Sequence, residues 1–123
     1  MNTAQNATER DETGNLISSS KVEGTKVYNT AREHLGSIHH FMVGKRSGKV
    51  EYAVMSFGGF LGMGESYHPL PWDVLSYDTD QNGYVVDIDK DRLKGAPHYG
   101  VNEEPAYDRA YGRSVYDYYG ISY

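Results

Sequence analysis

The sequence contains no cysteine, only one tryptophan and three phenylalanines, and just four prolines among its 123 residues. Without cysteine, neither a disulfide framework nor a thiolate metal site can form. Long apolar runs are also missing: no stretch approaches the length of about 18 residues that a membrane-spanning helix needs. The N-terminus has no basic start followed by an apolar run, so no secretory signal is predicted. The default expectation is therefore a cytoplasmic location.

Basic residues are scarce, with 12 lysines and arginines against 17 aspartates and glutamates and a net charge of -5. A protein that holds a phosphate backbone displays clustered lysine and arginine, so nucleic acid is not expected as a partner. A chain of this length has room for one hydrophobic core. Residues 1–14 are polar and charged, which predicts a disordered lead. A single domain at 15–97 and a tyrosine-rich tail at 98–123 complete the predicted organisation.

Short apolar runs separated by turn-forming residues dominate the chain from Val22 onward. This rhythm is typical of a small antiparallel barrel or sandwich. The predicted strands are Val22–Tyr28, Leu35–Val43, Lys49–Phe57, Glu65–Leu70, Trp72–Tyr77 and Tyr84–Ile88.

The residues between these runs predict specific turns. Gly48 supplies the positive φ of a hairpin turn, and Asn82-Gly83 predicts a two-residue type I′ turn. Asp89 is a candidate N-cap of a short helix, which a left-handed Gly95 would close.

The connection between the third and fourth predicted strands is rich in glycine yet apolar. From Gly58 to Gly64 the only side chains are those of Phe60, Leu61 and Met63. Exposed loops are normally polar, so we expect something other than water to cover these side chains. Three covers are open: the mouth of the same barrel, a second copy of the chain, or a heterologous partner or membrane surface.

Four segments, in order along the chain, resemble the PRC-barrel family: V-Y-N-T-A-R-E-H-L-G-S-I, K-R-S-G-K-V-E-Y-A-V-M-S-F-G-G-F-L-G-M-G, H-P-L-P-W and G-Y-V-V-D-I-D-K-D-R-L-K-G-A-P. The family includes the barrel of the photosynthetic reaction-centre H subunit and that of ribosome-maturation factors. The resemblance covers about residues 15 to 97, and the tail looks like the ending of a stand-alone bacterial subgroup. Arg32, where the family turn usually has glycine, and Gly44, where an acidic residue is common, depart from the pattern.

The resemblance implies a mainly β fold, a small antiparallel PRC-type β-barrel of about six strands with a short C-terminal helix. It also implies a protein-interaction module without catalytic residues to carry over, so neither an enzyme nor a cofactor is predicted. A barrel of this size has a small core and gains stability by association. We therefore expect a homodimer.

The tail holds seven of the twelve tyrosines, at or after Tyr99. Four residues of the tail recur at intervals of four, four and three positions, which places them on one face of a helix. This stripe predicts a helix between Pro105 and Gly120, which Gly120 would close. A helix this short is marginal alone, so its tyrosine face should dock on its own barrel or on a partner; we favour a partner. The stripe consists of Tyr107, Tyr111, Val115 and Tyr118.

These features give one leading hypothesis, a non-catalytic interaction module that self-associates, with a heterologous protein partner as a second option. Membrane-surface contact is the least favoured.

Trp72 follows Pro71, which lacks an amide hydrogen and so indicates an edge or a bend. The Trp72 indole is either part of the core or an interface anchor. The candidate interface residues are Phe57, Phe60, Leu61, Met63, Trp72, Tyr107, Tyr111 and Tyr118.

The alternative hypothesis is a small-ligand or cation-binding barrel that uses the Asp78–Asp89 loop or a barrel cavity. The loop places oxygen ligands and a glycine in the order of a calcium-binding EF-hand, but its last position is Asp89 and not glutamate. A polar hairpin tip explains the same residues. The weak candidate ligands are Asp78, Asp80, Asn82 and Asp89.

The histidines predict no metal site. His39 and His40 are adjacent, so on a regular strand they would point to opposite faces. The other three lie on separate predicted elements.

Overall fold

Strands are the main regular elements of the computed structural model, which describes residues 16–58 and 65–123. This confirms the mainly β prediction. None of the helices in these two ranges is long and apolar enough to cross a membrane. The elements are α1 (Ser19–Val22), β1 (Lys26–Asn29), β2 (His34–Val43), β3 (Val50–Phe57), β4 (Ser66–Pro71), a 3₁₀ turn (Trp72–Val74), β5 (Ser76–Asp78), β6 (Gly83–Val86), α2 (Lys90–Lys94), β7 (Tyr99–Gly100) and α3 (Arg109–Tyr118).

In the described part of the chain, seven strands form one sheet in the order β5-β6-β1-β2-β3-β4-β7. All neighbours are antiparallel except β1 and β6, which are parallel. Trp72, directly after β4, packs its ring 5.6 Å from that of Tyr84 on β6, although three strands separate β4 from β6. The sheet is therefore curled into a barrel shape, while its hydrogen bonding stays open between β5 and β7. The prediction of about six antiparallel strands missed β7 and the parallel pair.

Two predicted strands begin differently in the structure. Val22 belongs to α1, and β1 begins only at Lys26, because Gly24 takes a left-handed φ of 86° between them. The residues from Trp72 to Val74 form a 3₁₀ turn in place of the start of a strand. Pro71 ends β4 there, consistent with the predicted bend, since it has no amide hydrogen to donate.

The turn predictions had mixed outcomes. Gly48 has the expected positive φ of 74° in the β2–β3 hairpin. The β5–β6 hairpin has a four-residue connection at 79–82, because Gly83 already pairs with Asp78, so the predicted two-residue turn was wrong. The Asp78 carboxylate sets this longer turn by accepting hydrogen bonds from the backbone of Asp80 and the side chain of Gln81, both at 2.9 Å.

The short helix α2 is capped as predicted, but it ends differently. The Asp89 carboxylate accepts a hydrogen bond of 2.7 Å from the Arg92 amide. Gly95 has a φ of -85°, so the left-handed ending was wrong. A Cβ at Gly95 would lie 3.2 Å from the Tyr118 hydroxyl, so glycine there permits a close approach of the tail.

Consecutive burial along β3 shows that both faces of the sheet are covered. A half-exposed strand alternates buried and exposed residues, whereas the four residues Tyr52–Met55 are all buried. The inner face contributes to the core with Ala53 and Met55, next to Val27, Ile38 and Leu70. The opposite face must therefore be covered by another part of the chain.

The β1–β2 turn explains one departure from the family pattern. Arg32 has a φ of 67°, the left-handed conformation for which glycine is usual. The turn is held by the buried Asn29, whose side-chain oxygen accepts hydrogen bonds from the amides of Ala31 (3.0 Å) and Glu33 (2.9 Å). Asn29 also donates to the Glu33 carboxylate at 2.7 Å. These bonds offset the conformational cost at Arg32.

Candidate interaction surfaces

The C-terminal tail covers the outer face of β3 and β4. The Tyr52 ring meets Tyr107 and Tyr116 edge to face, with centroids 5.2 and 5.6 Å apart. The Tyr116 hydroxyl donates to the Glu51 carbonyl at 3.1 Å, and Val115 is fully buried. The tail is thus docked on its own barrel, which accounts for the continuous burial along β3.

Local sequence signals make α3 a defined helix. The Asp108 carboxylate accepts a hydrogen bond of 2.9 Å from the Tyr111 amide, which is N-capping. Gly120 has a φ of 74°, and the Ile121 amide bonds the Tyr116 carbonyl at 2.9 Å, a Schellman ending. The predicted helix and its closing glycine are confirmed, although Tyr107 precedes the helix.

A second contact ties α3 to α2. The Arg92 guanidinium donates a hydrogen bond of 2.7 Å to the Tyr118 carbonyl and lies 4.6 Å from the centre of the Tyr118 ring. The Tyr118 hydroxyl donates back to the Arg92 carbonyl. This pair could not be predicted, because no spacing pattern links two residues so far apart in the chain.

Burial raises the pKa of several tail tyrosines and of Tyr52 beneath them. Loss of hydration is the main cause for Tyr52, Tyr107 and Tyr119, and it raises the pKa of Tyr111 to about 12. The Tyr107 hydroxyl shares a hydrogen bond of 2.8 Å with Tyr99, whereas those of Tyr111 and Tyr119 are buried without a partner in the part of the chain that the structure describes. All of these hydroxyls therefore stay protonated and neutral at physiological pH.

The candidate interface residues fall into three groups. Tyr107, Tyr111 and Tyr118 make contacts within the chain, and their part in an interface stays a prediction. Phe57 and Trp72 are half-buried, with Phe57 edge to face on His68 (5.2 Å) and Trp72 edge to face on Phe41 (5.6 Å). The third group, Phe60, Leu61 and Met63, lies outside the described residues.

The apolar connection follows the end of the β3–β4 ladder, where the two strands are still paired. β3 and β4 stay paired up to Phe57 and Ser66, so the intervening residues begin directly where the ladder stops. The Ser66 hydroxyl lies 3.4 Å from the Phe57 carbonyl and 3.1 Å from Nε2 of His68. This end of the barrel thus combines an apolar connection with the half-buried Phe57.

His68 is the buried histidine of this hairpin. Its ring stacks on that of His98 with centroids 4.9 Å apart, and its Nδ1 has no hydrogen-bond partner among residues 16–58 and 65–123. Loss of hydration, together with the nearby His98, lowers the pKa of His68 to about 4. His68 is therefore neutral in the folded protein at pH values where it would be protonated in the unfolded chain.

This difference predicts that stability falls in mild acid. Between pH of about 6.5 and about 4 the unfolded chain binds a proton at His68 that the folded protein does not, so the free energy of unfolding should drop as pH falls, by up to about 3 kcal/mol. Urea unfolding at several pH values measures this. His40, whose pKa is also lowered, mainly by burial, contributes to the same slope.

Two variants test whether His68 causes this dependence of stability on pH. His68→Phe should reduce the slope of stability against pH, while His34→Gln, at an exposed position on β2, should leave it unchanged. An unchanged slope in His68→Phe would contradict the assignment.

The candidate cation loop does not assemble its ligands. The carboxylates of Asp78 and Asp89 are used within their own turns, as described above. In the two described ranges no three histidine, aspartate or glutamate side chains come together around one point, so the four candidate loop residues form no common site. Asp89 instead lines an open cleft of about 290 Å³ with Glu33, Asp87 and Arg92. Ligand binding there stays an untested alternative.

His39 and His40 do not point to opposite faces as predicted. The register between β2 and β3 shifts at Ile38/His40, so an extra residue is inserted in β2. A bulge breaks the alternation of side chains. The two rings therefore contact each other, with centroids 5.0 Å apart and Nδ1 atoms 2.8 Å apart.

Comparison with known proteins places the fold. Residues 14–93 match the family model of the PRC-barrel domain. Among solved structures, a 16S ribosomal RNA processing protein, RimM, from Pseudomonas aeruginosa is similar, with 24% identity and a TM-score of 0.42. The match covers 67% of this chain and 49% of that chain, so it spans about half the length of that structure. A search of curated proteins found no match.

Proposed function

Because the chain belongs to the PRC-barrel domain family, as the resemblance of its sequence predicted, we propose that it is a non-catalytic protein-interaction module that self-associates as a homodimer. The contact surface in this proposal is the β3–β4 end of the barrel, formed by Phe57 and the apolar connection that follows it. The outer face of β3 and β4 is already covered by the tail, which leaves this end as the favoured surface for a second copy.

The apolar sequence of the β3–β4 connection is the observation that carries the proposal. Burying Phe57, Phe60, Leu61 and Met63 would contribute roughly 6 to 12 kcal/mol as an upper bound from area transfer. That gross figure is reduced by the entropy lost on association and by ordering of side chains, so it does not convert directly to an affinity. The gross figure is large enough to matter after the entropy of association is subtracted.

A charge placed in the connection tests this. We expect the full-length protein to be a dimer by light scattering and sedimentation. The double variant Phe60→Asp with Leu61→Asp should be a folded monomer with a wild-type circular dichroism spectrum, and its thermal unfolding midpoint should lose the concentration dependence that association gives the wild type. Aspartate in an apolar contact would be desolvated without a partner, which strongly disfavours association.

Val101→Asp provides the matched control, because Val101 is an exposed apolar residue, at 51%, that lies in the tail. It should leave the dimer intact. A double variant that still dimerises would remove the connection from the interface, and a wild-type protein that is monomeric at high micromolar concentration would refute self-association.

A heterologous partner is the second form of the proposal. Affinity capture from the native cell, with wild type and the double variant as matched baits, tests it. A protein retained by wild type and Val101→Asp but lost by the double variant would identify a partner of this surface.

A further inference from the structure

The bulge in β2 brings two adjacent side chains into contact, which a regular strand does not allow. His39 and His40 are neighbours in sequence, and their Nδ1 atoms lie 2.8 Å apart within one hydrogen bond. In such a bond one imidazole carries its proton on Nδ1, while the other presents a lone pair. Two convergent imidazole nitrogens are also the commonest donors to transition metals.

The closeness of the two nitrogens favours a metal with neighbouring ligands at a narrow angle. The two Nδ1 atoms point at each other in their hydrogen bond, so a metal that binds both needs the two rings to turn until their lone pairs meet at one point. Imidazoles that turn in this way occupy cis positions, about 90° apart, as in tetragonal and octahedral sites, whereas zinc prefers the wider tetrahedral angle. Nitrogen ligands in cis positions of a tetragonal site are typical of Cu(II) and Ni(II).

Two carboxylates and an aromatic ring lie around the pair. Burial and His39 lower the pKa of His40, whereas Glu104, from the segment before α3, and Glu23, from the end of α1, act in the opposite direction and attract a cation. On the other side His39 packs against the ring of Tyr67, with centroids 4.9 Å apart. His39 is exposed and His40 half-buried, so a metal ion has access from solvent.

We propose that His39 and His40 form a two-histidine site for Cu(II) or Ni(II), bound through both Nδ1 atoms in cis, with water in the remaining positions. Binding requires both imidazoles to carry their proton on Nε2. The proton that lies between the two nitrogens therefore moves to Nε2 of the same ring through solvent, and no proton is released overall from the neutral pair. The site needs no part of the β3–β4 connection and is independent of the proposed dimer.

Calorimetric titration of the full-length protein with NiCl₂ tests the proposal. We expect one site per chain, with Ni(II) bound more tightly than Zn(II). His39→Gln and His40→Gln should each weaken Ni(II) binding at least tenfold, since each removes one of the two nitrogen donors. His34→Gln, on the same strand, is the matched control and should bind as wild type.

Titration with Cu(II) shows which histidines lie next to the bound metal. Substoichiometric Cu(II) is paramagnetic and should broaden the imidazole NMR signals of His39 and His40 before those of His34, His68 and His98. No heat with Ni(II) at about millimolar concentration, an equal loss of affinity in His34→Gln, or broadening that begins at another histidine would each overturn the proposal.

Discussion

Gly36→Ala should lower the free energy of unfolding by at least about 3 kcal/mol. A Cβ at this position on β2 would lie 2.0 Å from the backbone carbonyl oxygen of Ser56 and 3.1 Å from the Met55 side chain. The first atom belongs to the backbone of β3, so it can give way only if β2 and β3 separate locally. Overpacking alone costs about 1 to 3 kcal/mol, and here ladder hydrogen bonds between the two strands are lost as well.

Thermal unfolding followed by circular dichroism measures this effect, and we expect a drop in the midpoint of roughly 10 °C or more. Ser37→Ala, one residue further along β2, is the control. The Ser37 hydroxyl makes no hydrogen bond to the described residues. The Ser37 carbonyl accepts a hydrogen bond of 3.3 Å from the Ser56 hydroxyl, and the substitution retains it. A Gly36→Ala variant as stable as Ser37→Ala would mean that the strands do not approach this closely.

Val115→Asp should detach α3 from the barrel. Val115 is fully buried beneath the helix, and a carboxylate there would be desolvated without a partner, at a cost of several kcal/mol. Undocking the helix exposes Tyr52 and separates Arg92 from Tyr118. We expect a loss of helical circular dichroism and a free energy of unfolding about 3 to 5 kcal/mol lower than that of wild type.

Ser114→Asp carries the same new charge on the adjacent, exposed position of the helix. It should change stability by less than about 0.5 kcal/mol. The pKa of Tyr111, raised by burial to about 12, provides a second readout: spectrophotometric titration of Val115→Asp should show more tyrosines ionising near pH 10 than in Ser114→Asp. Equal stability and equal titration of the two variants would contradict the docking of α3.

The sequence predicted those parts of the fold that depend on interactions between residues close together in the chain. The capping carboxylate of Asp89 and the closing Gly120 act through a hydrogen bond or a backbone conformation a few residues away, and both predictions are confirmed. The family was recognised from the order of four segments, and the match at 14–93 confirms it.

The errors arose where distant residues decide the local structure. Gly36 lies inside a predicted strand, where an isolated glycine indicates close approach of another backbone, but the approaching atom belongs to Ser56. Gly95 lies close to the Tyr118 hydroxyl and has no left-handed φ. The bulge at His39 depends on the pairing of β2 with β3, so the alternation rule failed for the adjacent histidines His39 and His40.

The docking of the tail has a consequence for exchange between molecules. Residues 101–104, which connect the barrel to the helix, are exposed, so their main contribution is to hold α3 near its docking face at a high effective concentration. The same face on another copy offers an identical set of contacts, including Tyr52 and Arg92. As the protein concentration rises toward this effective concentration, α3 is expected to exchange between copies, giving a domain-swapped pair in which each barrel is covered by its neighbour's helix.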